Sequence, residues 1–451
     1  MADLDLTATG AGRAPAPLAE QLVHDEPGAR RFRVHRASMV LPEVFEAERR
    51  RIFDAVWLYL GHESEVPRPG DFRLRTLVGR PLIYCRDSAG RIHAFLNSCP
   101  HRGSMVCREP AGNRKVFQCM YHAWTFADDG RLLSRPGEDG YAPGGPPAEL
   151  GLRPVPRLEA YKGFVFVSFN PTVQSLPAYL GGVTTYLDAI VDQSEAGLEV
   201  RPGTQLYGAR ANWKLLVENS FEVYHVPALH PTYMAYLKAQ GTDVSGGVRG
   251  NTVLLGNGHG IVVSVGPWGR PIARWEQRWG PARKQQLAEV RARMVARHGE
   301  ERARLICDLD FNMVVFPNLV INDIMGTVIR QVNPVAPDAI ELTQWSLGPV
   351  DETPEDRELR LKSFLTFLGP GGLATPDDVE ATEACQRGFA SWRELPWSDM
   401  SRGYAEELAG DETAWRGDLE IQLRAFWRAW RDWMTGRLDP AGRPAAAAAA
   451  R

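Results

Sequence analysis

Six cysteines among 451 residues are too few for a disulfide-knit secreted scaffold. Cys85, Cys107, Cys307 and Cys385 are scattered, as core or surface thiols are, whereas Cys99 and Cys119 each have a histidine close by. No run approaches the ~20 uninterrupted apolar residues of a bilayer span, so no membrane segment is expected. A net charge of −3 gives no general pull toward nucleic acid or an anionic membrane. Met1 to Gly12 lacks a basic stretch followed by an apolar one, which makes the cytoplasm the expected address. A dinucleotide fingerprint is missing too: neither the GNGHG run from Gly256 nor the GPGG run from Gly369 gives the Gly-x-Gly-x-x-Gly turn.

What remains is a soluble chain long enough for two domains. Residues 1 to about 30, rich in Ala, Pro and Gly, read as a loosely held arm, and the Ala run ending at Arg451 as a low-complexity tail from 437. Between Glu43 and Leu60, Val44, Phe45, Ile52, Phe53, Val56 and Trp57 recur near one helical face, so 1–60 is expected to be an arm plus a helix docked on the larger domain. Short extended runs with turns between them (PLIYCRD, RIHAFLN, AWTFA, RLL) predict a small all-β domain over 61–171, closed by GFVFVSFN at 163–170. From 172 to 436 helical and extended patterns mix, as in an α+β domain. It ends in a helical stripe of Leu419, Leu423, Phe426, Trp427, Trp430, Trp433 and Met434 that stops before Gly436.

Inside the β domain, Cys99-Pro-His101 and Cys119-Met-Tyr-His122 form two short loops with seventeen residues between His101 and Cys119. Two thiolates on one iron and two imidazoles on the other are what a Rieske [2Fe–2S] centre requires, and the imidazoles raise its potential above that of an all-cysteine cluster. A structural Cys2His2 zinc uses the same residue types, but zinc fingers usually pair Cys with Cys and His with His locally. Here each loop supplies one of each.

A second constellation lies in NWKLLVENSFEVYHVPALHP, 212–231. On a helix, Glu218, Glu222 and His225 fall at i, i+4 and i+7, one polar stripe, and Pro227 is expected to end that helix near Val226. Residues five apart on an unbroken helix point about 140° from each other, so His225 and His230 reach one metal only if the helix stops. Two histidines and a carboxylate make the facial triad that leaves positions open for dioxygen on Fe(II). Proximity in sequence does not supply the carboxylate. A di-iron site would need a second Glu-x-x-His, and there is none to pair with Glu222-Val-Tyr-His225.

CPHRG followed by CMYHAW, with the 212–231 segment and GPGGLATPDD at 369–378, resembles the large (alpha) subunits of Rieske non-haem iron aromatic-ring-hydroxylating dioxygenases. The resemblance spans nearly the whole chain. It implies a small all-β Rieske domain holding its cluster on Cys99, His101, Cys119 and His122, and an α+β catalytic domain whose antiparallel sheet is flanked by helices. It also implies a mononuclear Fe(II) on His225, His230 and Asp378, with Asp377 the lesser alternative, whose ordinary role is a helix N-cap. Arg102 and Ala123 stand where the cytochrome bc type has a loop cysteine and a serine, so the cluster is expected to be a low-potential donor. Asn219 and Tyr224 match the family's surroundings of the iron.

Glu222 departs from the family's usual aspartate, which links a Rieske histidine of the neighbouring subunit to an iron histidine, here His122 and His225. Some members, among them demethylases of quaternary amines, carry glutamate there. The implied reaction is addition of O2 to an aromatic substrate to give a cis-dihydrodiol, with electrons from NADH through a separate reductase, with or without a ferredoxin. The implied assembly is trimer-based, α3 or α3β3, with a beta subunit. Oxidative N- or O-demethylation is the alternative reaction, and a non-enzymatic electron carrier would lack the second iron. ENSFEVYHVPALHPTY, FPNLVIND and FLGPGGLATPDDVEA resemble subunits acting on aromatic carboxylates such as p-cumate, phenoxybenzoate or anthranilate. A carboxylate calls for a cation. Arg249, Arg270 and Arg330 are the candidates, with a surface ion pair the ordinary role of each; His259 is expected either to line the pocket or to make a structural hydrogen bond.

Overall fold

The structure, a computed structural model, describes residues 15–142, 147–270 and 272–438. The tail expected from 437 therefore lies, beyond Leu438, outside the described residues. The chain divides into two compact units, residues 53–176 and the remainder.

The smaller unit is all-β. Ile92–Leu96, Arg80–Arg86, Asp71–Leu77 and Ala111–Asn113 form a four-stranded sheet in that order, and Leu132–Ser134, Thr125–Ala127 and Val116–Gln118 a three-stranded one. Phe72, Ile83, Phe95, Phe117, Trp124 and Phe126 fill the space around Cys99 and Cys119. A third sheet joins Arg157–Tyr161, Phe164–Ser168 and Leu58–His62. That last strand corrects the expected helix. Helical structure runs only over Pro42–Glu48 and a wide turn at Arg49–Phe53, after which the fully buried Leu58 and Tyr59 pair with Val167 and Phe166. An apolar run buried on both faces suits a strand as well as a helix, and a neighbouring strand was there to take its backbone bonds.

In the larger unit, six strands follow one another across an antiparallel sheet: Arg249–Gly256, His259–Val265, Asp310–Val315, Leu319–Asp323, Thr327–Ala336 and Ala339–Pro349. Leu198–Val200 and Gln205–Ala209 both pair with the last of them. The Ile421–Thr435 helix buries Phe426, Trp427, Trp430 and Trp433, the side chains of the predicted stripe. Trp430 and Trp213 donate to Glu48, which also pairs with the fully buried Lys214. The expected loose arm is not loose over residues 15–35. Pro15–Leu22 is helical, Leu22 and Val23 are buried, and Arg31–His35 pairs with Trp397–Asp399. Asp25 fixes this hairpin by accepting from Arg428 and Tyr404, partners nearly four hundred residues away that local composition does not reveal. No helix among the described residues is long and apolar enough to cross a membrane.

Candidate active site and metal centres

The two loops of the small unit are the same structure used twice. Gly103 and Ala123 both take positive φ, and their N–H groups donate back to the carbonyls of Cys99 and Cys119 at 2.8 and 3.0 Å. The Cys99 and Cys119 N–H groups in turn donate to Ser104 and Trp124, each at 2.8 Å. Each loop thus turns its cysteine and its histidine to one side. The thiols are buried and touch each other, while the half-buried imidazoles face each other with centroids 4.5 Å apart. His101 stacks flat on Trp124, and its buried Nδ1 has no hydrogen-bond partner, a donor atom held ready for a metal. Burial pushes the Cys99 thiol up; on Cys119 burial is outweighed by N–H donors from Tyr121 and His122 and by the Cys99 thiol, so its pKa is lowered. Thiols in one pair and imidazoles in another fit two irons. A single ion would draw all four together, and among the described residues the set whose ligand atoms all lie within 4.8 Å of one another is His225, His230 and Asp378.

That second set is assembled by a helix break different from the one expected. The Trp213–Ser220 helix ends seven residues before Pro227, because Asn322 and Gln422 donate to the carbonyls of Ser220 and Phe221 and the Phe221 ring is buried. Glu218, Glu222 and His225 therefore form no stripe. Glu218 points into the core, where it accepts from Trp427 and burial lifts its pKa to about 8. Pro227 begins a helix instead of ending one. It sits in the first turn of Val226–Leu229, where its missing N–H costs nothing, and Glu222 accepts from the Tyr224 and His225 N–H groups just before that turn. His225 and His230 flank this single turn, and Pro231 opens the next helix, Pro231–Ala239.

The carboxylates come from the Thr375–Gly388 helix, with Asp377 and Asp378 in its first turn, where the helix dipole favours a negative charge. Its start is set by the glycine run: Gly372 donates to the Gly369 carbonyl, and a Cβ on Gly372 would meet the Phe367 and Leu365 carbonyls at 2.7 and 2.8 Å. Asp378 Oδ1 lies 3.5 Å from His225 Nε2 and 3.3 Å from His230 Nε2, and it accepts from Asn219 Nδ2 at 3.2 Å. The other face of each imidazole is backed by a carboxylate, His225 Nδ1 by Glu222 and His230 Nδ1 by Asp377 at 3.3 Å. This fixes both rings with Nε2 toward the shared point and makes them better donors. Burial lowers the His230 pKa, but Asp378 and Asp377 outweigh it and the net shift is upward; on Asp378 burial is overcome by His230 and His225, and its pKa is lowered. Two imidazoles and one carboxylate are the donor set of a non-haem Fe(II) site, and the residues fit it.

Val248, Trp268, Ile324, Phe367 and Leu368 wall the cavity over these ligands; Asn312, Asn322 and Arg330 add polar groups. Sequence reading did not single out Asn312 and Asn322, though a lone asparagine in each of two apolar strands, paired in register, was a usable signal. Tyr224 is not at the ligands. It is half exposed, under the Arg402 guanidinium, in a surface cleft that also contains Arg249. Arg270 is buried in an ion pair with Asp323, not at the surface, and Arg330 is buried with no ion pair among the described residues. His259 is structural: Nε2 donates to the Tyr179 carbonyl and Nδ1 accepts from Phe316 N–H. Replacing Glu222 by Gln or Asp377 by Asn should weaken iron retention about 10–100-fold while leaving the three ligands in place, measured as iron per chain after a graded chelator challenge.

Residues 56–156 match the Rieske [2Fe-2S] domain, and 191–436 match the ring hydroxylating alpha subunit (catalytic domain). The chain is 33% identical to the toluate 1,2-dioxygenase subunit alpha of Pseudomonas putida, over 90% of this chain and 89% of that one. It is 34% identical to the 2-halobenzoate 1,2-dioxygenase large subunit of Burkholderia cepacia, over 89% and 87%. The naphthalene 1,2-dioxygenase of Rhodococcus sp., solved with indole bound, superposes with a TM-score of 0.77 at 29% identity, covering 90% of this chain and 94% of that one. The relatives' names, subunit alpha and large subunit, describe one component of a larger assembly. With both domains matched, the chain belongs to the ring-hydroxylating alpha subunits of the Rieske non-haem iron oxygenases.

Proposed function

We propose that this subunit adds both atoms of O2 to the ring of an aromatic carboxylate, giving a cis-dihydrodiol. The observation that carries the reading is the His225, His230 and Asp378 triad in a cavity walled by Val248, Trp268, Ile324, Phe367 and Leu368. Relatives named for toluate, halobenzoate and anthranilate, each a ring bearing a carboxylate, support the substrate class. Iron on the triad would activate dioxygen, and a cluster on Cys99, His101, Cys119 and His122 would hand over electrons singly. The chain's own contribution is placement. Glu222 and Asp377 hold the imidazole Nδ1 protons, Asn219 holds one Asp378 oxygen, and Trp268, Phe367 and Ile324 exclude water from the ring's position.

The balance is one arene, one O2, two electrons and two protons per diol. NADH supplies the electrons through a separate reductase, with or without a ferredoxin. A beta subunit and a trimer-based assembly, α3 or α3β3, in the cytoplasm complete the reading. Demethylation is the second reading, favoured by Glu222 and by 28% identity to an N,N-dimethyl phenylurea N-demethylase subunit of Sphingobium. Dithionite-reduced, desalted protein mixed with benzoate and ¹⁸O2 should yield a diol carrying two labelled atoms, read by mass spectrometry. Formaldehyde from N,N-dimethyl phenylureas, with no diol from benzoate, would establish the second reading instead.

A further inference from the structure

Among the three arginines that could meet a carboxylate, the structure separates one from the others. Arg270 is spent on Asp323 and on the carbonyls of Ile306 and Asp323. Arg249 is exposed on the surface cleft. Arg330 is 4% exposed and lines the cavity that holds the triad.

Arg330 lies on the Thr327–Ala336 strand, opposite Gln344. Its Nε donates to Gln344 Oε1 at 2.6 Å and its Nη2 to Thr375 Oγ1 at 3.3 Å. Both acceptors are themselves fixed, since Gln344 Nε2 and Thr375 Oγ1 each donate to the Leu368 carbonyl, at 2.8 and 2.9 Å. One edge of the guanidinium is thereby locked in place, yet both partners are neutral. No carboxylate among the described residues forms an ion pair with it, and Nη1 has no acceptor among them. Asp378 acts on it only through space and is itself turned to His225 and His230, so the buried guanidinium has no carboxylate paired with it, a costly arrangement that an arriving anion would relieve. Thr375 also begins the helix that carries Asp378 three residues on, so the guanidinium is held at the end of that helix that bears the third member of the triad.

We propose that Arg330 anchors the substrate's carboxylate, presenting Nη1 and the free Nη2 proton to its two oxygens, so that the ring extends from Arg330 over the iron ligands. This rests on the aromatic-acid reading above and names its anion-recognising group. A fixed, desolvated guanidinium discriminates strongly between an acid and its neutral isostere, because the isostere leaves the cation unpaired.

The test is Arg330→Met beside Arg330→Lys in the purified oxygenase. Single-turnover yield and substrate-induced shift in melting temperature are measured with benzoate and with neutral benzamide. For R330M the benzoate yield at limiting substrate should fall about a hundredfold or more and the benzoate-induced shift should vanish, while benzamide responses stay within about threefold of the parent. R330K keeps the charge without the fork and should fall between. Equal losses on acid and amide in both variants, with benzoate still turned over by the parent, would overturn the anchor and leave the proposed reaction standing. A parent that oxidises benzamide and ignores benzoate would overturn the substrate class itself.

Discussion

Asp378→Ala is expected to leave a protein that takes up its cluster and cannot turn over. Asp378 Oδ1 is the one atom that both imidazole Nε2 atoms face, at 3.5 and 3.3 Å. Without it two neutral nitrogens remain, and a divalent cation loses its only directly bound negative charge. Iron should drop from about three to about two per chain, and turnover by more than about 10³-fold. The reduced-cluster resonance averaging near g ~1.9 should be unchanged, because its ligands lie in the other unit. His225→Ala and His230→Ala should behave alike. Asp377→Ala separates ligand from support: it removes the group behind His230 Nδ1 and should cost only about 10–100-fold. Full iron and activity in Asp378→Ala, with loss in Asp377→Ala, would exchange the two assignments.

Cys119→Ser should have the complementary phenotype. The Cys119 thiol touches that of Cys99 and packs in one core with Phe72, Phe117, Trp124 and Phe126, where a serine is nearly isosteric. A serine hydroxyl is a poor ligand for the cluster's iron. The variant should fold, lack the visible absorption and resonance of the cluster, retain about one iron per chain and give no diol with dithionite or any reductase. The parent protein needs the same metal analysis. One tightly held zinc with no g ~1.9 signal would make the four residues a structural site and remove the electron source from the proposed reaction.

Local sequence carried a great deal of this. Cys-x-His and Cys-x-x-His loops hold their ligands within a few residues, so their chemistry survives without knowledge of the fold, and the structure adds only that both turns are alike. The stripe of the Ile421–Thr435 helix was legible for the same reason: 3.6-residue periodicity is a local property. Chain order placed a small β domain before a larger α+β one.

What sequence could not determine was decided by partners far along the chain. The helix that should have carried Glu222 and His225 to Val226 stops at Ser220 because Asn322 and Gln422, one and two hundred residues away, take its last carbonyls. Tyr224 went to the surface for the same reason, since a change of backbone direction reassigns every side chain after it, while Glu218, still on the helix, is held in the core by Trp427. Residues 15 to about 30 looked loose by composition but are held by Arg428 at Asp25 and by the strand Arg31–His35, which pairs with Trp397–Asp399. Arg249, Arg270 and Arg330 were equivalent as letters. Only the tertiary fold gave one a surface cleft, one a buried aspartate, and the third a place in the cavity of His225, His230 and Asp378 with no ion pair among the described residues, because burial and pairing are properties of the packed chain and not of the residue type.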